Sequence, residues 1–141
     1  MKTLLSIAAA LLIGSAPFAI AHGPKAGIAV SPPEAPYQAV SKLVTLPDFI
    51  PGMGQLFVDP ATLPAGPFLA YDHDGDLIST IYMIPIADLN PDKAFDDLST
   101  SGATVDHVDV VYNPGHPGVE VPHAHIILWH VSADAESKVA E

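Results

Sequence analysis

Two histidines separated by a single residue are the strongest indication of chemistry in this sequence. His123 and His125 lie in an apolar stretch that predicts a β-strand, and residues two apart on a strand point to the same face. Two imidazoles in this arrangement can bind one metal ion. The alternative interpretation is that both are polar side chains on a solvated strand face, which an acidic protein can carry without a function.

A third ligand could come from a neighbouring strand. His107 lies on the predicted strand 105–112, on the same face as Asp109. If the two strands are neighbours, His107 supplies a third nitrogen ligand, and Asp109 is a further ligand or holds one by a hydrogen bond. His116, in a Gly-Pro loop, could reach the same site. We therefore predict that His107 converges with the histidine pair.

Imidazole-rich ligation favours a divalent transition metal, such as Zn, Cu, Ni or Fe, over Ca or Mg. If no metal binds, the sequence indicates no other cofactor. A separate copper site is also conceivable at the amino terminus. Cleavage after Ala21 would make His22 the first residue, and its amine and ring nitrogen could chelate Cu(II).

Other functional motifs are incomplete or absent. A cupin motif has five residues between its Gly and H-x-H and a Glu shortly afterwards, whereas four residues separate Gly118 from His123 and the next Glu is Glu136. The run 72–76 resembles a calcium loop, but Met83 occupies the position of the bidentate Glu. Its Asp-Gly pair predicts a hairpin turn instead. The sequence contains no G-x-S-x-G motif and no phosphate-binding Gly loop.

The amino-terminal segment has the features of a signal peptide. Lys2 precedes the apolar stretch 4–13, and Ala19-Ile20-Ala21 is a small-x-small cleavage site. We therefore expect an exported protein, periplasmic or extracellular, with no membrane anchor after cleavage.

Composition restricts the partners. The 141 residues include five basic residues, all Lys, and the net charge is −11. Phosphate neutralisation needs clustered basic side chains, so a nucleic-acid partner is excluded. Without Cys there is no disulfide, and the core, a subunit interface or a metal must stabilise the fold. A homo-oligomer is permitted but not required.

The predicted organisation is a signal peptide (1–21), a Pro-rich extended arm (22–46), one globular domain (47–133) and a polar tail (134–141), which we expect to be frayed. Within the domain, alternating and apolar runs predict strands at 55–58, 68–72, 77–83, 105–112 and 121–131. An Asn-Pro-Asp start and spaced apolar residues predict a helix within 86–98. The fold class is α+β, mainly an antiparallel β-sheet (a sandwich or small barrel) with one helix.

Several sequence blocks resemble a family of small exported bacterial proteins, one member of which is controlled by an extracytoplasmic-stress sigma factor. One matching block is Pro51-Gly52-Met53-Gly54. The most specific blocks are Val105-Asp106-His107-Val108-Asp109 and Gly115-His116-Pro117-Gly118-Val119-Glu120-Val121-Pro122-His123. The resemblance implies the fold and export more than an activity.

The sequence departs from that family's pattern at three polar positions. Leu56 and Ile127 stand where the family has His, and His125 stands where it has Asp. The family pattern therefore carries over only to His107, His123 and His116. If the family site binds metal, His125 replaces part of what this chain has lost.

Two functions follow from these observations. The first is a secreted soluble domain without an assigned role, which binds a transition metal through its histidines. The alternative is a small metal-dependent enzyme that acts on a small organic substrate. An open coordination position beside an apolar pocket would favour the enzyme.

Overall fold

Six antiparallel strands form one open sheet in the computed structural model, which describes residues 23–141. The predicted signal peptide and His22 lie outside the described residues. The strands are β1 (Gln38–Ala39), β2 (Gln55–Val58), β3 (Phe68–Tyr71), β4 (Leu77–Pro85), β5 (His107–Asn113) and β6 (His123–Trp129), in the order β1-β2-β3-β4-β6-β5. The predicted α+β class with an antiparallel sheet is confirmed, and the sheet is not closed into a barrel.

The centre of the sheet is β4, and all nine of its residues are buried. A strand covered on both faces can be apolar throughout, which explains why its sequence does not alternate between apolar and polar residues. The turn between β3 and β4 is held by Asp72, whose Oδ1 accepts hydrogen bonds from the amides of Asp74 and Asp76, both at 3.0 Å. The sequence 72–76 therefore forms a hairpin turn, as predicted.

Apolar side chains cover the sheet on both sides. One side, the cavity face, carries a core that includes Leu56, Ile81, Met83, Ile127 and Trp129. The other side, the arm face, carries Phe57, Leu69 and Tyr71, which pack against Ile28 of the Pro-rich arm. The Tyr71 hydroxyl donates a 2.7 Å hydrogen bond to the carbonyl of Ile28. The arm thus packs on its own sheet.

The predicted helix within 86–98 is wrong. A short 3₁₀ helix spans only Ile86–Asp88, and the chain continues to residue 104 without further regular structure. Ala94 is exposed and Phe95 is only partly buried, so the apolar side expected of a helix has no surface to pack on. Asp97 has a φ of 55°, which a right-handed helix does not allow.

The expectation of a frayed tail is also wrong. A 3₁₀ helix spans Ala133–Val139 and is the longest of the four 3₁₀ helices within residues 23–141. Val139 is only 1% exposed and belongs to the core of the cavity face, while its carbonyl accepts a hydrogen bond from the amide of Gly52. None of the helices within residues 23–141 has the length and apolar character needed to cross a membrane.

Candidate metal centre

The imidazoles of three histidines lie together where β6 begins. The Nε2 atom of His123 lies 2.9 Å from Nε2 of His125 and 3.2 Å from Nε2 of His116. His123 is completely buried, His125 is 5% exposed, and His116 is half-buried. The expected same-face placement of His123 and His125 is observed, and His116 reaches them from its loop.

Backbone hydrogen bonds determine which ring nitrogen of His123 and of His116 carries the proton. Nδ1 of His123 donates to the carbonyl of Val121 at 2.7 Å, and Nδ1 of His116 donates to the carbonyl of Pro117 at 3.0 Å. In a neutral ring the proton on Nδ1 leaves Nε2 with a lone pair. Both Nε2 atoms therefore present lone pairs to the same small volume, as metal-binding histidines do.

The distances from Nε2 of His123 to the other two Nε2 atoms match those between ligands on one metal. At a metal–nitrogen distance of 2.0–2.1 Å, nitrogens 2.9 Å and 3.2 Å apart subtend angles of about 90° and about 100° at the metal. Such angles lie within the range of tetrahedral and octahedral coordination. Nε2 of His123 is thus placed to share a metal ion with either neighbour, and one ligand atom from each of the three rings lies within 4.8 Å of the others.

Strand and loop geometry explain how the three rings meet. His123 and His125 share a face because strand side chains alternate. The loop that carries His116 begins with Asn113, whose Oδ1 accepts a 2.8 Å hydrogen bond from the amide of Gly115. Gly115 has a φ of 130°, and a Cβ there would lie 2.7 Å from the carbonyl oxygen of Glu120. Only Gly fits this position.

A tight turn completes the loop. The amides of His116 and Val119 each donate to the other's carbonyl at 3.0 Å, which closes a turn around Pro117 and Gly118. Pro followed by a Gly of positive φ is typical of a type II turn, and Gly118 has a φ of 92°. A Cβ at Gly118 would lie 2.9 Å from Val44, so the turn also packs closely on the first half of the chain.

The prediction that His107 converges with His123 and His125 is wrong. The strands β5 and β6 are neighbours, but their register places His107 opposite Trp129 and Val111 opposite His125. At about 3.4 Å per residue, His107 lies about 14 Å further along the sheet than the position opposite His125. In an antiparallel hairpin the end of the first strand meets the start of the second, so the start of β5 must lie far from His123.

His107 and Asp109 belong to a different cluster. Nδ1 of His107 lies 2.9 Å from Asp106, and its Nε2 lies 2.9 Å from Glu136. Asp109 accepts a 2.9 Å hydrogen bond from the indole of Trp129. Hydrogen bonds to Asp106 and Glu136 raise the pKa of His107 above its usual range. His107, Asp109 and Glu136 lie close enough together to hold a metal. The hydrogen bonds described above account for their proximity without one, because the ion pair of His107 with Glu136 links the last helix to β5.

At the metal centre the pKa of a histidine is lowered by burial, whereas carboxylates raise the pKa of His107. Burial lowers the pKa of His125 to about 4, and the neighbouring His123 and His116 add to the decrease. A neutral imidazole is the form that binds metal. The environment thus holds His125 ready as a ligand at neutral pH. His130 lies outside this cluster, and its Nε2 is 2.8 Å from the Thr80 hydroxyl.

An apolar cavity of about 290 Å³ adjoins the histidines. His116 and His125 form part of its wall, and Asn113 is the other polar residue that lines it. Its apolar wall includes Val44, Leu56, Leu63, Phe68, Met83 and Val119. The sequence contained no motif for this cavity, because its walls come from several separate segments between residues 40 and 125.

These features together define a small antiparallel β-sheet protein with a three-histidine candidate metal centre beside an apolar cavity. A solved structure, that of a hypothetical protein from Thermus thermophilus, is similar at 47% sequence identity and a TM-score of 0.60. The match covers 68% of this chain and 88% of the Thermus chain. The chain therefore belongs to the same family as that Thermus protein. No protein-family model matches the chain, and no curated protein matches it.

Proposed function

We propose that this protein binds one transition metal ion through the Nε2 atoms of His116, His123 and His125, and that it does so after export. The observation that carries the proposal is the 2.9 Å and 3.2 Å separation of these nitrogens. The signal-peptide features of residues 1–21 support the export of the chain.

The burial of the cluster supports metal binding over a solvated strand face. His123 is completely buried, and its Nδ1 already donates to a backbone carbonyl. In the metal-free protein, Nε2 of His123 and Nε2 of His116 face each other at 3.2 Å with a lone pair on each, so neither can donate a hydrogen bond to the other. Buried polar groups with unmet hydrogen-bonding capacity destabilise a fold, and a metal ion would satisfy all three nitrogens at once.

Three imidazoles leave coordination positions that the protein does not fill. Structural metal sites are usually closed by four protein ligands, whereas catalytic sites keep one position for water or substrate. The cavity lies on the side of His116 and His125. This arrangement favours the second candidate function, a metal-dependent enzyme acting on a small organic substrate. In that case the bound metal would act as a Lewis acid or activate a water molecule.

Metal uptake by the untagged mature chain tests the proposal. We expect one Zn²⁺ or Co²⁺ per chain by elemental analysis and calorimetry, with a Co²⁺ absorption spectrum typical of nitrogen ligands. The double variant H123A/H125A should lose this uptake. His107→Ala is the matched control, because it removes a histidine from the other end of the same hairpin.

The control separates the two histidine clusters. If H107A retains full uptake, the centre is formed by His116, His123 and His125. The proposal is overturned if the wild-type chain binds no metal, or if H107A loses as much affinity as the double variant.

A further inference from the structure

We infer that the cavity binds a small apolar monoanion, an aliphatic carboxylate, with its charged head on the metal and its hydrocarbon tail among the aliphatic side chains. This inference rests on the proposed metal site. It goes further by naming the chemical class of the ligand.

The cavity wall selects an apolar tail. Leu56, Leu63, Phe68 and Met83 are among its lining residues, and the cavity measures about 290 Å³. Small-molecule sites of this size bind ligands largely by burial of apolar surface. A sugar or another polyhydroxylated ligand would lose hydrogen bonds to water here without replacement. The wall is therefore suited to a hydrocarbon chain.

The polar groups of the cavity are confined to one part of it. His116 and His125 line it at the metal centre, and Asn113 precedes the loop that carries His116. Asn113 belongs to the same hairpin as the metal ligands, since it lies opposite His123 in the sheet. A ligand with one polar end and one apolar end would match this division of the wall.

Charge determines the nature of the polar end. Among residues 23–141, those that line the cavity include no Lys, Arg, Asp or Glu. Three neutral imidazoles do not offset the charge of a divalent ion, and a charge in an apolar environment is costly unless it is paired. A carboxylate supplies a negative charge and an oxygen ligand together. A cationic ligand would be repelled by the metal, and a second carboxylate at the tail end would meet only the apolar wall, with no Lys or Arg to pair with it.

Calorimetry with a series of carboxylates tests this assignment. We expect hexanoate to bind the Zn²⁺-loaded protein at least tenfold more tightly than the metal-free protein. Affinity should increase about threefold to fourfold for each added CH₂ from butyrate to hexanoate, because each one buries further apolar surface. Acetate, which lacks a tail, and hexylamine, which is cationic, should bind at least tenfold more weakly than hexanoate.

A cavity-filling variant provides the structural control. Leu63 lines the cavity but is 46% exposed, so Leu63→Trp can be accommodated at its edge and should weaken hexanoate binding at least tenfold. Leu89 is 60% exposed and does not line the cavity, so Leu89→Trp should bind hexanoate like the wild type. Both variants should keep the wild-type Co²⁺ spectrum.

The outcomes separate this inference from the proposed function. If the wild-type chain binds no metal, both are overturned. If it binds metal but hexanoate binds equally well with and without the metal, or no better than acetate or hexylamine, the carboxylate assignment alone is overturned. The same holds if Leu63→Trp leaves hexanoate binding unchanged.

Discussion

Nδ1 of His123 donates a 2.7 Å hydrogen bond to the carbonyl of Val121, two residues earlier in the chain. The bond links a completely buried side chain to the backbone just before β6 begins. It holds the ring so that Nε2 faces His125 and His116. Because the acceptor is a backbone atom, the orientation of this ligand does not depend on a second side chain.

The loop glycine before His116 should control metal affinity without being a ligand. We expect Gly115→Ala to weaken Zn²⁺ binding by about tenfold to a hundredfold, because the new Cβ would lie 2.7 Å from a backbone oxygen and displace the loop. Gly52→Ala is the matched control. Gly52 has a positive φ of 82°, but a Cβ there meets nothing within 4 Å. Calorimetry of both variants checks the prediction, and equal losses would contradict it.

Acidification should destabilise the metal-free protein through buried His125. The pKa of His125 is lowered to about 4 in the folded chain, so the unfolded chain binds more protons between this value and the usual pKa of histidine. The free energy of unfolding should therefore decrease as the pH falls from about 6.5 towards about 4. For His125→Asn, the free energy of unfolding should decrease less steeply with falling pH. Urea unfolding with a chelator present measures both slopes. Identical slopes would show that His125 titrates normally.

The ion pair of His107 should have the opposite pH dependence. Asp106 and Glu136 raise the pKa of His107, so its contribution to stability is complete below about pH 6.5 and is lost as the pH rises through the raised value. We expect Glu136→Gln to destabilise the chain at about pH 6 and to have a smaller effect at about pH 9. Metal uptake should not change. Urea unfolding at both pH values measures the effect, and a pH-independent loss would argue against an ion pair.

The anchor of the Pro-rich arm should contribute measurably to stability. Tyr71 is completely buried and its hydroxyl donates to the carbonyl of Ile28, so Tyr71→Phe leaves a buried acceptor without its donor. We expect a loss of about 1–3 kcal/mol in the free energy of unfolding. Tyr112→Phe, at a side chain that is 64% exposed, should change it by less than about 0.5 kcal/mol. Equal effects would mean that the arm contact contributes nothing.

The strands could be predicted because their signals are local. The run 55–58 corresponds to β2, and the Asp-Gly turn between two apolar runs correctly predicted the hairpin of β3 and β4. The shared face of His123 and His125 follows from alternation alone. His130 lies an odd number of residues after His123 and His125, so the same alternation places it on the opposite face.

The remaining features depend on contacts between distant residues. The position of His107 relative to His125 depends on the register of a hairpin with a long loop, and the residue types of the two strands do not determine that register. The helix expected within 86–98 had a suitable start, but the sheet offers no surface for its apolar side. The cavity depends on residues such as Val44 and Leu63, whose types alone do not distinguish a cavity wall from an ordinary core.

The packing of Val139 beside Gly54 and the hydrogen bond from Gly52 to its carbonyl join two distant parts of the chain. The contact closes a loop that spans most of the described chain, at an entropic cost that grows only slowly with loop length. A chain shortened before the last helix would therefore lose both a core side chain, that of Val139, and the acceptor of the Gly52 amide.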